Sequence, residues 1–267
     1  MGDVNYEPLF RGMTWSFSRV RTFQTCPQHG YLHYLMELPE EEMFYSSYGS
    51  FCHDLIARYY TGELKQEELL PEFLQGFPFR VMGERPSPKI ERKYLDQGAE
   101  YFEKFQPFPL ETLAVEQELR FSVDDVNFVG FLDYLGRDSD GKLILVDHKS
   151  ADLKPRSTRR KYTRDDQKLD DTLMQLYLYS KWIHDQYGEY PSELWLNCFR
   201  TGVLIREPFS VDSFSLAEEW ALKSVRKLYS ESDFFPEDDW YYCRWVCGMH
   251  NHCDLYQDEL AERRRRR

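Results

Sequence analysis

Residues 127–150 place charge where a buried strand would not ordinarily carry it. Asp133 interrupts one apolar run, from Phe128 and Val129 to Leu135, while Asp147 and Lys149 close a second, Leu143-Ile144-Leu145-Val146. The turn-rich Gly136-Arg137-Asp138-Ser139-Asp140-Gly141 between them is the signal of a β-hairpin with a longer loop. Because side chains alternate along a strand, Asp147 and Lys149 share a face and His148 points the other way. Two carboxylates and an ammonium at one strand edge can hold a hard divalent cation such as Mg²⁺, which leaves its remaining positions to water and phosphate. The lysine then positions or deprotonates the attacking water, while the metal stabilises charge developing on a phosphodiester. The chemistry implied is hydrolysis of a nucleic-acid backbone.

The acid-x-Lys triplet says little by itself, since it recurs at Glu63-Lys65, Glu91-Lys93, Asp140-Lys142, Asp152-Lys154 and Asp166-Lys168. Only Asp147-Lys149 ends an apolar strand with a second acid on its hairpin partner; the plain alternative is a surface salt bridge. Neighbouring patterns add to the set. A strand over 113–123 brings Glu116 and Glu118 on one face by alternation, so either could supply a further carboxylate. Helical spacing over 49–60 puts His53 beside an apolar stripe of Cys52, Ile56 and Tyr59, where a histidine is either a satisfied core residue or a metal ligand. Downstream, Leu169, Leu173, Leu176, Ser180, Ile183 and Tyr187 mark a long amphipathic helix. Gln175 and Tyr179 lie one turn apart on a different stripe, as polar tips toward a nucleotide or as half-exposed surface residues.

The elements that must position these residues are legible at coarse grain. Ser16 and Ser18 can cap a helix near Phe17, and the aromatic stretch after Cys26-Pro27 reads as a short second helix. Residues 61–109 read as a helical insertion: an acidic first part, a Pro/Gly break from Gly76 to Pro88, and a helix begun at Ser87-Pro88 and ended by Pro107-Phe108-Pro109. Two strands follow the long helix, at 194–199 and 203–209, and a last helix covers about 214–229.

Composition narrows the class. With 267 residues, 42% of them apolar and 16% aromatic, the chain can bury a substantial core. No run of eighteen apolar residues occurs, and Met1-Gly2-Asp3-Val4-Asn5-Tyr6 has neither the basic nor the apolar region of a signal peptide, so the expectation is a cytoplasmic chain without membrane contact. A formal charge of −12 does not suit a protein that coats nucleic acid by charge alone. Basic residues nevertheless gather at Lys154, Arg156, Arg159, Arg160, Lys161, Arg164 and Lys168 and in the run Arg263 to Arg267, as a phosphate-tracking patch or as a solvated loop and tail.

The second chemical cluster is Cys243, Cys247 and Cys253 with His250 and His252. Three cysteines in eleven residues of such a chain argue for metal or cluster ligation over disulfides. Cys26 can complete four thiolates for an iron–sulfur cubane, or a local histidine can complete a tetrahedral Zn²⁺ site.

Taken in order, Ser16-Phe17-Ser18 leading to Cys26-Pro27, Gly49 leading to His53, Val115-Glu116, Gly130-Phe131-Leu132-Asp133, Asp147-His148-Lys149-Ser150, Gln175 to Tyr179 and the C-terminal cysteines resemble the PD-(D/E)XK nuclease superfamily. The branch they resemble is that of the RecB-type exonucleases, which includes CRISPR-associated iron–sulfur nucleases. The resemblance implies a restriction-endonuclease-like α/β fold, a small mixed sheet flanked by helices. It implies one domain over 1–262, with 61–109 as the helical insertion and 240–256 as the cysteine-rich segment, followed by a basic tail at 263–267. It implies that His53, Asp133, Asp147 and the carbonyl of His148 hold Mg²⁺ or Mn²⁺, that Glu116 is the family's further acid, and that Lys149 acts on the nucleophilic water. Gln175 and Tyr179 would contact substrate or order the site, and Cys26, Cys243, Cys247 and Cys253 would bind a [4Fe-4S] cluster. The three residues between Cys243 and Cys247, where the family usually has two, and Gly248, where a proline often follows, depart from the pattern and keep zinc as a competitor. The expected activity is a DNA exonuclease of recombination, repair or replication. No G-x-x-x-x-G-K-[ST] loop occurs, so a helicase or recombination partner would be a separate chain. Two other classes stay open: a catalytically inactive nucleic-acid-binding subunit, and a zinc-stabilised interaction protein.

Overall fold

The computed structural model describes residues 5–158 and 161–266; Met1-Gly2-Asp3-Val4, Arg159 and Arg160 of the basic loop, and Arg267 lie outside these. The chain begins with α1 (Glu7–Gly12), α2 (Phe17–Thr25) and α3 (Pro27–Gly30), which runs into a π-helical turn (Tyr31–Leu35). Ser16 caps α2 by accepting from the backbone N of Arg19, as its sequence position predicts. Cys26 ends α2 and begins α3, its Sγ accepting from the backbone N of His29.

Next come α4 (Phe44–Tyr60), α5 (Gln66–Arg80) and α6 (Pro88–Glu103), which pack together around Tyr48, Phe51, Phe73, Phe77 and Phe102. The break expected from Gly76 does not fall there. Helix α5 continues through Gly76 and Pro78 to Arg80. A Cβ at Gly76 would stand 2.4 Å from the Phe51 ring, so this glycine serves the close approach of α5 to α4 and not a turn.

The sheet contains β1 (Glu111–Val123), β2 (Val126–Arg137), β3 (Leu143–His148), β4 (Glu193–Cys198) and β5 (Val203–Pro208), lying side by side in that order. All neighbours are antiparallel except β3 and β4, which are parallel and joined by the crossover helix α7 (Arg164–Tyr187). The hairpin turn between β2 and β3 closes on Asp138, whose Oδ1 accepts from the backbone N of Asp140 and Lys142, with Gly141 at φ 78°. A capping box of Thr163 and Asp166 starts α7, and Gly188 in the left-handed region ends it.

Every residue of β3 is buried, because the strand is covered on both faces. Leu143 and Leu145 join the main core with Leu169, Leu173 and Leu176 of α7 and with α8 (Val211–Leu228), while Ile144 and Val146 pack with Tyr134 and Trp195 on the other side. The five strands and the helices about Asp54, Leu176 and Leu216 are those expected from the sequence. The chain closes with α9 (Trp240–Trp245), a 3₁₀ turn (His250–His252) and α10 (Asp254–Arg265), so the basic tail begins as helix. No helix of the described residues is long and apolar enough to cross a membrane.

Candidate active site at the sheet edge

The end of β3 is tied to both of its neighbours by its own backbone. The N–H of His148 donates to Asp133 Oδ2 on β2 at 2.6 Å, and the N–H of Lys149 donates to the carbonyl of Asn197 on β4 at 2.9 Å. These bonds fix where the side chains leave the strand. Lys149 Nζ lies 2.7 Å from Asp147 Oδ2 and donates to Gln175 Oε1 at 3.0 Å; Gln175 Nε2 in turn donates to the Tyr179 hydroxyl at 3.1 Å. The glutamine and tyrosine one turn apart on α7 thus form a chain to the lysine. Room for Tyr179 exists because residue 130 is glycine, where a Cβ would stand 2.5 Å from the ring.

Helix α4 brings His53 Nδ1 to 3.5 Å from Asp133 Oδ2. Strand β1 supplies Glu116 through a backbone irregularity: the register holds from Val115–Tyr134 to Gln117–Leu132, but Glu116 between them takes the left-handed φ of 47°. A non-glycine residue there costs on the order of 1–3 kcal/mol and persists only where its surroundings impose it. The irregularity decides between the two glutamates. Glu118 turns to Arg120 at 2.5 Å, while His53, Glu116 and Asp133 bring one ligand atom each within 4.8 Å of one another.

The electrostatics follow from burial and crowding. Burial, with the charge of Asp147 second, holds the Asp133 carboxyl well above the usual carboxylate range, and burial followed by Asp147 and Asp54 raises Glu116. Burial lowers His53 and leaves its imidazole neutral, with a lone pair free for a ligand. Burial also presses Lys149 downward, but Asp147 and Asp133 outweigh it and keep the ammonium charged beyond the ordinary lysine range. One cation therefore faces three carboxyl groups. Asp147 Oδ2 is buried without a well-directed hydrogen bond even though Nζ stands close to it.

His148 sends its side chain to the opposite face, as alternation predicts. Its ring stacks on Phe108 at 6.1 Å, and its Nδ1 lies 3.0 Å from Asn197 Nδ2, which also reaches the Tyr101 hydroxyl at 2.7 Å. Burial, with His53 and Lys149 after it, holds this imidazole well below its usual value. Sequence reasoning passed over Asn197, although it is the lone polar residue between Leu194 and Phe199, the same signal that marked Asp133.

Apart from the sheet edge, α2, α3 and the C-terminal segment bring the four cysteines together. Cys26 Sγ accepts from the backbone N of His29 and Glu237, Cys243 Sγ donates to the carbonyl of Glu237, and Cys247 Sγ lies 3.5 Å from His29 Nδ1. Burial comes first in pushing Cys243 to about 11 and Cys247 to about 12, and each of them is raised further by Cys26 and Cys253. Arg263 lies over the Trp240 ring beside this region and pairs with Glu259. In the basic loop Lys154 pairs with Asp165 and Arg156 with Asp170 and Glu207, while Lys168 donates to the carbonyl of Asp152.

A family model of the PD-(D/E)XK nuclease superfamily matches residues 14–254, and the chain belongs to that superfamily. A candidate exonuclease from Eubacterium rectale of known crystal structure aligns over 93% of this chain and 91% of its own, at TM-score 0.53 and 10% identity, a likeness of fold. The crystal structure of SSO0001 aligns over 93% of this chain and 96% of its own, at 15% identity and a TM-score of 0.31, too low to bear on the fold. No match was found among curated proteins.

Proposed function

We propose that this nuclease hydrolyses DNA phosphodiesters with Mg²⁺ or Mn²⁺, as an exonuclease on single strands or duplex ends in recombination, repair or replication. The observation that carries the reading is Lys149, held between Asp147 and Gln175 beside the converging His53, Glu116 and Asp133. These residues fit a hard cation: the donors are mainly carboxylates, one carboxylate oxygen is buried and poorly bonded, and one ammonium cannot balance three acids. His53, Glu116, Asp133, Asp147 and the His148 carbonyl would hold it, and when bound it would supply Lewis-acid stabilisation of charge on the phosphate. Lys149 keeps its proton beside Asp147 and Asp133, so its part is to orient the attacking water and donate to a phosphate oxygen. Gln175 holds the lysine and Tyr179 holds Gln175. Incubation of end-labelled single-stranded and duplex DNA with Mg²⁺, Mn²⁺ or EDTA tests the reading: metal-dependent release of short products from the ends supports it, and intact DNA under every metal with folded protein refutes it.

The same reading gives Cys26, Cys243, Cys247 and Cys253 to a [4Fe-4S] cluster that clips the two ends of the domain. Tetrahedral zinc, with bonds of ~2.3 Å, needs its four sulfurs roughly 3.8 Å apart. Among the described residues the sets with ligand atoms within 4.8 Å of one another include no cysteine, so no zinc-sized sulfur set is preformed. Iron and acid-labile sulfide in anaerobically purified protein support the cluster, and stoichiometric zinc without sulfide refutes it.

A further inference from the structure

A cavity of about 680 Å³ opens between α6, the segment 104–109 and the turn joining β4 to β5, within the ~300–1,000 Å³ range of ligand pockets. It lies on the His148 face of the sheet, and its wall reaches the strand end that carries Lys149. Arg200 Nε in its wall donates to the carbonyl of Ser150, the residue after Lys149, and Asn197 in its floor links His148 to Tyr101.

The lining departs from the charge of the whole chain. Lys104, Arg200 and Arg206 face one carboxylate, Glu100, and that one is tied to Lys104 at 2.6 Å. Arg200 bonds only neutral acceptors, Ser150 O at 2.7 Å and Gln97 Oε1 at 2.9 Å, and lies over the Tyr94 ring; Arg206 lies over Trp195 at 4.2 Å. Neither guanidinium has a carboxylate partner among the described residues. In a protein of net charge −12, two guanidinium groups without a carboxylate partner therefore line one cavity.

We propose that this cavity holds an unpaired stretch of the nucleic-acid strand next to the bond being cut, its phosphates on Arg200 and Arg206 and a base against the rim of Pro107, Phe108 and Pro109. The inference rests on the nuclease reading and names the strand it grips. Guanidinium groups match phosphate with paired donors and also stack on a base, which suits both moieties of a nucleotide. The single-strand assignment follows from the rim, where a base freed from its pair can lie against Phe108 between α6 and the 199–202 turn.

The test is fluorescence anisotropy of a labelled oligothymidylate and of a blunt hairpin duplex, titrated with Lys149→Ala protein so that no strand is cut, and with Lys149→Ala/Arg206→Glu. Affinity for the single strand falls at least tenfold on adding Arg206→Glu, the duplex loses less, and the slope of log affinity against log salt shrinks by ~0.7 for each phosphate contact removed. Lys104→Glu, an exposed position on the opposite wall, moves affinity in the same direction and guards against a folding defect in the first variant. Unchanged affinity in both charge reversals overturns the proposal, and equal losses on duplex and single strand overturn the single-strand assignment. Cleavage by wild-type protein is scored separately: if it cuts neither DNA while the affinity loss persists, the nuclease reading falls and the binding site stands.

Discussion

The acids and lysine at the sheet edge rest on a core of thirty buried side chains, Leu143, Leu145, Leu173 and Leu176 among them, whereas the cysteine region has five: Leu32, Cys247, Met249, Cys253 and Tyr256. In the first, backbone bonds from His148 and Lys149 place the side chains before any ligand arrives. In the second, Cys26 must meet residues more than two hundred positions away across short helices of four and six residues. A site on a packed sheet can tolerate charge that destabilises it, because the core supplies the difference. A site that joins chain ends must draw stability from what it binds.

That contrast can be broken by substitutions on either side. Asp133→Asn is expected to have the largest effect, because it removes a carboxylate from the proposed metal set: cleavage falls below detection, while the metal-free protein becomes more stable. The folded Asp133 carboxyl titrates well above its unfolded counterpart, so its favourable contribution is fully present below the ordinary carboxylate pKa and is lost as pH rises through the folded value. Thermal melts in EDTA from pH 8 downward check the sign, with the variant melting above wild type at pH 8 and the gap closing as pH falls toward the ordinary carboxylate pKa. A variant that melts lower at pH 8 would show that the buried charge is not a burden.

Cys26→Ala acts on the other region. It is expected to lose any bound iron and lower Tm by about 10 °C, as roughly 3–4 kcal/mol would in a chain of this size, with cleavage reduced in proportion to folded protein. Retention of full iron content would remove Cys26 from the ligand set. Gly130→Ala forces Tyr179 aside and costs about 1–3 kcal/mol of overpacking, measurable by urea denaturation; a neutral result would mean that α7 moves freely. Gln175→Ala should be mildest, lowering kcat ~10-fold with little change in KM, since it loosens Lys149 without removing it.

How far the sequence disclosed this site depends on the range of each signal. Asp133, Asp147 and Lys149 were legible because they break apolar runs, and Gln175 with Tyr179 because four residues make one helical turn. Ser16 announced the start of α2 by the same local logic. Glu116 was set apart from Glu118 only by its resemblance to the family's acid after Val115, since its left-handed φ is nothing that period-two alternation can foresee. Gly76 and Pro78 looked like a break because the Phe51 ring that demands the glycine lies 25 positions away. Asn197 broke an apolar run as Asp133 does, but Tyr101 and Arg200 carried no local pattern, and the partners of all three become neighbours only when β4 lies beside β3. The basic loop stayed open between a phosphate-tracking patch and a solvated loop, since composition counts charges and cannot show that Arg156 is held by Asp170 and Glu207.

The measurement that tests the central claim most directly is single-turnover cleavage of end-labelled DNA in Mg²⁺ by wild type and Lys149→Ala, with DNA affinity and thermal melting recorded on the same preparations. The account predicts a rate loss of ~100-fold or more at unchanged affinity and fold, as expected for a group that acts on the water and the phosphate and does not hold the strand. Equal rates in the two proteins would contradict it, because the strand end that carries Asp147 and Lys149 would then not be where the bond is broken.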